Sequence, residues 1–338
     1  MSRPRVGFLG VGWIGRNRMA AMIDAGLVEP VAIADPAPEC LAEAAVLAPG
    51  AERLESLEDL LARRIDGLVI ATPSALHAGQ AIRALERGVA VFCQKPLGRN
   101  GAEVRAVVEV ARRADRLLGV DLSYRHTAGM QAIRAAVGNG ALGHVHAADL
   151  IFHNAFGPDK PWFQDPALSG GGCVMDLGVH LVDLALWVLD FPRLLALDAD
   201  LFVKGRPLTD RARQVEDHAV ATLRLAGGTL VRLACSWHLN AGTDAVISAE
   251  FHGDRAGAAF RNVGGSFYDF TADLLHGTTR TALAAPPDAW SGRAAMAWAA
   301  QLARSPAFDA AALTLVDVAC ILDGIYAAAA GTHGFGHR

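Results

Sequence analysis

Several common features are missing from this 338-residue sequence, and each absence narrows what the chain does. There is no C-x-x-C. The five cysteines (Cys40, Cys93, Cys173, Cys235 and Cys320) are scattered and odd in number. That argues against a disulfide framework and suits free thiols in a reducing, cytoplasmic compartment. No signal-peptide layout opens the chain, which runs directly into an apolar strand. The most apolar late stretch, residues 311–330, is interrupted by Asp317 and Asp323, so it reads as a packed amphipathic helix and not a membrane span. A formal net charge of −4 offers no basic surface to nucleic acid or an anionic membrane. H-E-x-x-H is absent, and His144 and His146 alternate on a strand without a third ligand, so no metal is expected. Internal repeats and low-complexity linkers are absent too. What remains is a chain that is 52% hydrophobic and 20% charged, long enough for two domains around substantial cores.

The first 35 residues are the most informative. Residues 5–9 (RVGFL) form a short buried strand that runs into Gly10-Val11-Gly12-Trp13-Ile14-Gly15, and a helical stretch follows to about residue 25. A second apolar run, residues 31–34, ends in Asp35, twenty positions after Gly15. Strand, G-x-G-x-x-G, helix, strand and acid in this order are the context in which the glycine pattern has physical meaning. Gly10 allows a tight turn, Gly12 lets a pyrophosphate approach the backbone, and Gly15 lets helix and strand pack closely. The helix N-terminus offers N–H groups and a positive dipole end to the phosphates, and Asp35 accepts hydrogen bonds from an adenosine ribose.

Strands and helices keep alternating to residue 122, as a parallel sheet requires. Residues 67–71 (GLVIA) and 88–93 (GVAVFC) are further buried strands. From about Ser123 a series of strands (197–204, 216–226, 229–239, 246–253, 256–263 and 266–272) is joined by hairpin signals such as Gly227-Gly228. An amphipathic helix over 174–189 precedes them, and two more (293–304 and 313–330) finish the chain. The expected architecture is an α/β Rossmann domain with a doubly wound parallel sheet over residues 1–122. An α+β domain with a large, mostly antiparallel open sheet fills residues 123–338. The far face of that sheet needs cover. Apolar residues such as Val220, Leu223, Leu225, Val231 and Leu233 suggest a homodimer or homotetramer paired through it.

Three clusters could carry chemistry. Thr72-Pro73-Ser74 through His77 follows a parallel strand at its carboxyl end, where open α/β sheets bind ligands. There Thr72 and Ser74 cap the next helix or, in the case of Thr72, hydrogen-bond a cofactor. Lys95, between Gln94 and Pro96, stands at the mouth of another such strand, suited to stabilising a developing alkoxide or to lying in solvent. The third cluster is Gly170-Gly171-Gly172-Cys173 followed by Asp176 and His180, four apart and on one helix face, with Asp183 near it. Histidine exchanges protons near neutral pH, and a neighbouring carboxylate holds its tautomer.

Taken together, GFLGVGWIG, ATPSALH, CQKPLG, Tyr124-Arg125 and PWFQDPALSGGGCVMDLGVHLVD resemble the Gfo/Idh/MocA oxidoreductase family over nearly the whole chain. The last segment, similar to W-x-x-D-P…G-G-G-x-x-x-D-x-G-x-H-x-x-D, is the most specific. The resemblance implies hydride transfer between nicotinamide and a secondary alcohol of a polyol, inositol or sugar. Lys95 would lie beside the nicotinamide and the reacting oxygen, with the Lys95–Pro96 bond cis. Asp176 would bind a substrate hydroxyl, and His180 would be the general acid/base. Gly10, Gly12, Trp13, Ile14, Gly15, Asp35, Thr72, Pro73, His77 and Arg125 would hold the cofactor, and Asp35 would favour NAD over NADP by repelling a 2′-phosphate. Tyr124, Asn154 and Trp162 would join Lys95, Asp176 and His180 around the substrate, with Arg125, Phe156, Phe163 and His238 as further candidates. An enzyme that retains NAD to eliminate a glycosidic leaving group, or a non-catalytic NAD-binding regulator, are the alternatives. The sequence departs from the family at Gln94, where Glu is usual. Gln keeps a hydrogen bond but removes a negative charge from the residue preceding Lys95.

Overall fold

The computed structural model describes residues 3–331. The chain divides into two compact units. One runs to Ser123 and includes Ser291–Val316; the other comprises Tyr124–Trp290 and the residues from Asp317 onward.

In the first unit β1 (Arg5–Leu9), α1 (Trp13–Asp24), β2 (Glu29–Ala34), α2 (Pro38–Leu47), β3 (Glu52–Leu54), α3 (Leu57–Leu61), β4 (Gly67–Ile70), α4 (Ser74–Glu86), β5 (Ala90–Cys93), α5 (Gly101–Ala114) and β6 (Leu118–Val120) succeed one another. The six strands form one parallel sheet in the order β3-β2-β1-β4-β5-β6. Phe8, Leu68, Ile70, Val91 and Phe92 are buried, because helices cover both faces. This is why the strands read as continuous apolar runs and not as alternating ones. The strand order reverses between β1 and β4, and the crevice of an open α/β sheet forms at the carboxyl ends on either side of such a reversal. The glycine loop follows β1 there and Thr72 follows β4.

The second unit contains α6 (Ala128–Gly138), β7 (Val145–Asn154), the short α7 (Pro166–Ser169), α8 (Val179–Val188), β8 (Leu194–Val203), β9 (Arg206–Pro207), β10 (His218–Leu225), β11 (Leu230–Ser236), β12 (Ala245–Gly253), β13 (Gly257–Asn262), β14 (Phe270–His276) and β15 (Thr279–Ala284). These strands form a nine-stranded sheet in the order β15-β14-β13-β12-β7-β11-β10-β8-β9, antiparallel except for the β11–β7 pair. Gly227 and Gly228, at φ +89° and +91°, make the β10–β11 turn. α9 (Arg293–Arg304) and α10 (Thr314–Gly331) end the described chain. α10 sends Val318, Ile321, Leu322, Ile325 and Tyr326 into the second unit's core.

Two expectations are corrected. α9 belongs with the parallel sheet, not with the second unit. Trp298 and Leu302 fill a trough left by strand glycines. A Cβ at Gly67 would lie 2.6 Å from the Trp298 ring and 2.7 Å from Leu302, and one at Gly119 would lie 2.8 Å from Trp298. Nothing near residue 298 in sequence announces a partner so far upstream. The second correction concerns the open face of the large sheet. Leu223, Leu225, Val231 and Leu233 point into the core, and of the five residues named only Val220 is partly exposed. The side-chain period of two sends neighbouring residues of β10 and β11 to opposite faces.

Candidate active site

The glycine loop separates its three glycines by what each must avoid. Gly10 sits at φ +82°, and a Cβ there would fall 2.6 Å from the backbone of Ala71. At Gly15 a Cβ would lie 2.0 Å from the Gly10 carbonyl oxygen. Gly12 is different: its φ is an ordinary −61°, and a Cβ would meet no atom within 4 Å. Neither backbone strain nor packing within the chain requires glycine there, whereas close approach of a ligand to the backbone does. No side chain caps α1, and Trp13 at its first position is 65% exposed. Asp35 is fixed against the loop: its carboxylate accepts from Val11 N at 2.8 Å and from Ala37 N at 2.9 Å. These features fit a dinucleotide, whose phosphates the loop and helix end would hold and whose ribose Asp35 would hold.

At the end of β4 neither expected cap forms. Pro73 takes the N-cap position of α4 without a side-chain bond, Ser74 is the first helical residue, and the Thr72 hydroxyl donates to Gln80 at 2.6 Å. His77 is buried, and both of its ring nitrogens lie 2.7 Å from backbone carbonyls, those of Thr72 and Pro96. Both nitrogens thus face protein carbonyls, and His77 ties the Thr72 and Pro96 loops together. Burial lowers its pKa against the opposing pull of the two carbonyls. The Lys95–Pro96 bond held by this histidine is cis, as the resemblance implied. Lys95 is half-buried at the mouth of β5.

The Gln94 side chain points to a partner that the sequence reading missed. Its amide donates to Asp121, which is buried and also accepts from Arg18 Nε at 2.5 Å. Arg18 continues to Asn17 at 2.6 Å and Ser291 at 3.1 Å. A negative charge is therefore present beside residue 94 but is carried by Asp121, and Gln is the side chain that can donate to it. The remaining oxygen of Asp121 has no hydrogen-bond partner among the described residues.

In the second unit the glycine run is shaped by two residues far away in sequence. The Glu216 carboxylate accepts from Gly172 N and Val174 N, both at 2.9 Å, and from the Tyr326 hydroxyl at 2.8 Å. A Cβ at Gly171 would lie 1.8 Å from the Tyr326 hydroxyl, and one at Gly172 would lie 1.9 Å from the Glu216 carbonyl oxygen. These glycines thus admit a capping carboxylate into the start of a helix. Burial raises the Glu216 pKa against the pull of those donors. The helix then opens with a wide turn over Val174–Gly178, closed by Val179 N–H to Val174 O, before α8 begins. Such π-type turns recur at functional sites. Asp176 sits on this turn, half-buried, and accepts from Trp237 Nε1 at 3.1 Å. His180 follows on α8, buried, with its ring 4.9 Å from that of Tyr124 in an edge-on arrangement. Tyr124 is enclosed by Phe152, Phe270 and Trp290, and burial raises the pKa of its hydroxyl.

Other candidates have different roles. Arg125 forms a bidentate ion pair with buried Asp183 and lies over the Trp187 and Phe191 rings. Asp183 is thereby a support and not a member of the reacting group; burial still raises its pKa over the opposing pull of Arg125. The Asn154 side chain accepts from Phe156 N at 2.6 Å in a local turn. Trp162 stacks on Phe163 at 3.8 Å, and Phe163 meets Trp237 edge-on at 6.3 Å, so this segment leads to Asp176. His238 has φ +57°, and its imidazole occupies the space a side chain at Gly157 would need. Trp237, Glu216, Tyr326, Asp121 and Arg18 all escaped the sequence reading. The one available signal was Ser-Trp-His directly after an apolar strand.

Comparison with known proteins bears on both units. Residues 4–122 match the oxidoreductase family NAD-binding Rossmann fold, and residues 130–259 match the GFO/IDH/MocA C-terminal domain. D-glucoside 3-dehydrogenase of Escherichia coli (strain K12) is 31% identical over 209 residues, 59% of this chain and 60% of that protein. The chain thus matches less than two thirds of that protein's length. D-apiose dehydrogenase of Paraburkholderia graminis is 30% identical over 297 residues, 86% of this chain and 75% of that protein. The solved structure of levoglucosan dehydrogenase with NADH and levoglucosan superimposes with a TM-score of 0.82 at 21% identity, covering 98% of each chain, and so shares the fold.

Proposed function

Because the chain belongs to the Gfo/Idh/MocA oxidoreductase family, we propose that it is an NAD-dependent dehydrogenase of a sugar, inositol or other polyol, or the corresponding keto-sugar reductase. The observation that carries this reading is the placement of Asp176, held by Trp237 on the wide turn, four residues before the buried His180. The names of the relatives, D-glucoside 3-dehydrogenase and D-apiose dehydrogenase, support the substrate class.

The nicotinamide, when bound, supplies hydride acceptance or donation. The glycine loop and the start of α1 hold the pyrophosphate, and Asp35 holds the ribose hydroxyls and repels a 2′-phosphate. His180 takes the proton of the reacting hydroxyl in oxidation and returns it in reduction. Lys95 stabilises the charge that develops on that oxygen. Asp176, its orientation fixed by the indole N–H, accepts a hydrogen bond from the substrate. His180→Ala should cut kcat by roughly 10²–10⁴-fold, the usual worth of general acid–base catalysis, and leave NADH binding intact. Near-normal turnover in that variant would remove His180 from the mechanism.

We also propose a homodimer or homotetramer formed through the open face of the large sheet. Val220, Ala234 and Ile151 are paired across β10, β11 and β7 and make an apolar strip there. A monomer by light scattering would contradict this.

A further inference from the structure

The first unit carries an arginine that the reaction above does not use. Arg16 is the first residue past Gly15 on α1. Its Nη1 donates to the Val11 carbonyl at 3.1 Å, and its Nη2 lies 2.5 Å from Glu43 on α2. The Val11 N–H, on the other side of that residue, donates to Asp35 at 2.8 Å. One residue of the glycine loop thus joins a guanidinium and the carboxylate that the NAD reading assigns to the adenosine ribose. Burial first, and then the Asp35 charge, raise the pKa of the Cys40 thiol on the first turn of α2, against the pull of Arg16.

A tie between α1 and α2 is the plain structural use of the Arg16–Glu43 pair. The Glu43 side chain is 60% exposed, and an ion pair in that setting contributes little to stability. The Arg16 side chain is only 23% exposed and is anchored at the loop, not at the surface. A guanidinium is the side chain best shaped to receive a phosphate in two hydrogen bonds. NAD lacks the 2′-phosphate and NADP carries it on the ribose that Asp35 faces.

We propose that Arg16 is a latent receptor for a 2′-phosphate, and that cofactor selectivity is set by Asp35 together with Glu43, which holds the guanidinium. The proposal rests on the NAD reading, because it needs the adenosine ribose at Asp35. Asp35 dominates: a carboxylate beside a phosphate is repelled directly. Glu43 contributes less, since an exposed partner is readily displaced.

The test is the ratio of NADPH to NADH dissociation constants, read by cofactor fluorescence, in wild type and a short series of variants. A ratio cancels any general disturbance of the loop that weakens both ligands. Asp35→Asn, which preserves the shape of the side chain, should lower the ratio at least about tenfold, as loss of a charged contact does. Adding Arg16→Gln should return about tenfold of that gain, and adding Glu43→Gln in place of it should lower the ratio a further two- to fivefold, at about the worth of an exposed ion pair. Equal ratios in D35N and D35N/R16Q would overturn the role of Arg16 while leaving the NAD reading in place. Wild type that binds neither dinucleotide would overturn the NAD reading and this proposal with it.

Discussion

In the first unit, the residues that would touch a dinucleotide are neighbours in sequence and are fixed by backbone groups. Gly10, Gly12 and Gly15 lie on one loop, and Asp35 is held by the N–H groups of Val11 and Ala37. In the second unit, Asp176 is held by a side chain 61 positions later, and the turn that carries it is capped by Glu216, itself bonded to Tyr326 a further 110 positions on. The first arrangement is a property of a short peptide that needs only a strand on either side. The second exists only after the sheet and the last helix have assembled. The residues proposed to bind the cofactor are therefore placed locally, whereas the turn that carries Asp176 depends on the whole fold of its unit.

The largest effect that would sharpen this contrast lies within the loop. Gly15→Ala places a methyl 2.0 Å from a carbonyl oxygen and should destabilise the protein by about 3 kcal/mol or more, as overpacking against backbone does. Gly12→Ala meets nothing in the protein, so its melting temperature should stay close to that of wild type while NADH affinity falls. Equal melting losses in the two variants would break the distinction between a packing glycine and a ligand glycine.

Next in size is the buried charge beside Lys95. Gln94→Glu sets a second carboxylate against Asp121 with Arg18 as the cation bonded to it, and should cost about 3 kcal/mol at neutral pH. Exchanging the two, Q94E with D121N, restores one negative charge to the pair and should recover most of that loss in a double-mutant cycle. Additive losses would show that the charge beside residue 94 does not matter. In the second unit, Trp237→Phe keeps the aromatic packing and removes the N–H. It should lower kcat about five- to tenfold through the loss of one hydrogen bond to a carboxylate, with NADH binding unaffected. A variant with unchanged kcat would mean that Asp176 is positioned without the indole.

The same contrast explains what was legible in the sequence. The parallel sheet, its glycine loop and the α9 boundaries could be read because apolar runs and turn residues act over short distances. Asp176 and His180 stood out through their four-residue spacing. Their supports did not, because a Glu, a Tyr and a Trp on separate elements carry no mutual signal in one chain. Two candidate contacts have partners inside the protein that the sequence does not announce. His77 lies between two carbonyls, and Arg125 pairs with a buried aspartate. A polar side chain taken for a ligand contact on the strength of its position can instead be satisfying the interior, since buried polar groups must find partners. β15 was missed because its sequence, TRTALA, lies at the sheet's edge with little burial to impose alternation.

We propose NAD-dependent transfer of hydride from a sugar or polyol hydroxyl with His180 as the base. The most direct test follows absorbance in the NADH band with purified protein, NAD and a panel of inositols, aldoses, glycosides and sugar acids, with His180→Ala in parallel. Wild type should form NADH on one substrate group, and the variant almost none. Equal NADH formation by wild type and variant, or none by wild type on any substrate with no consumption of NADH when the matching keto-sugars are supplied, would contradict it.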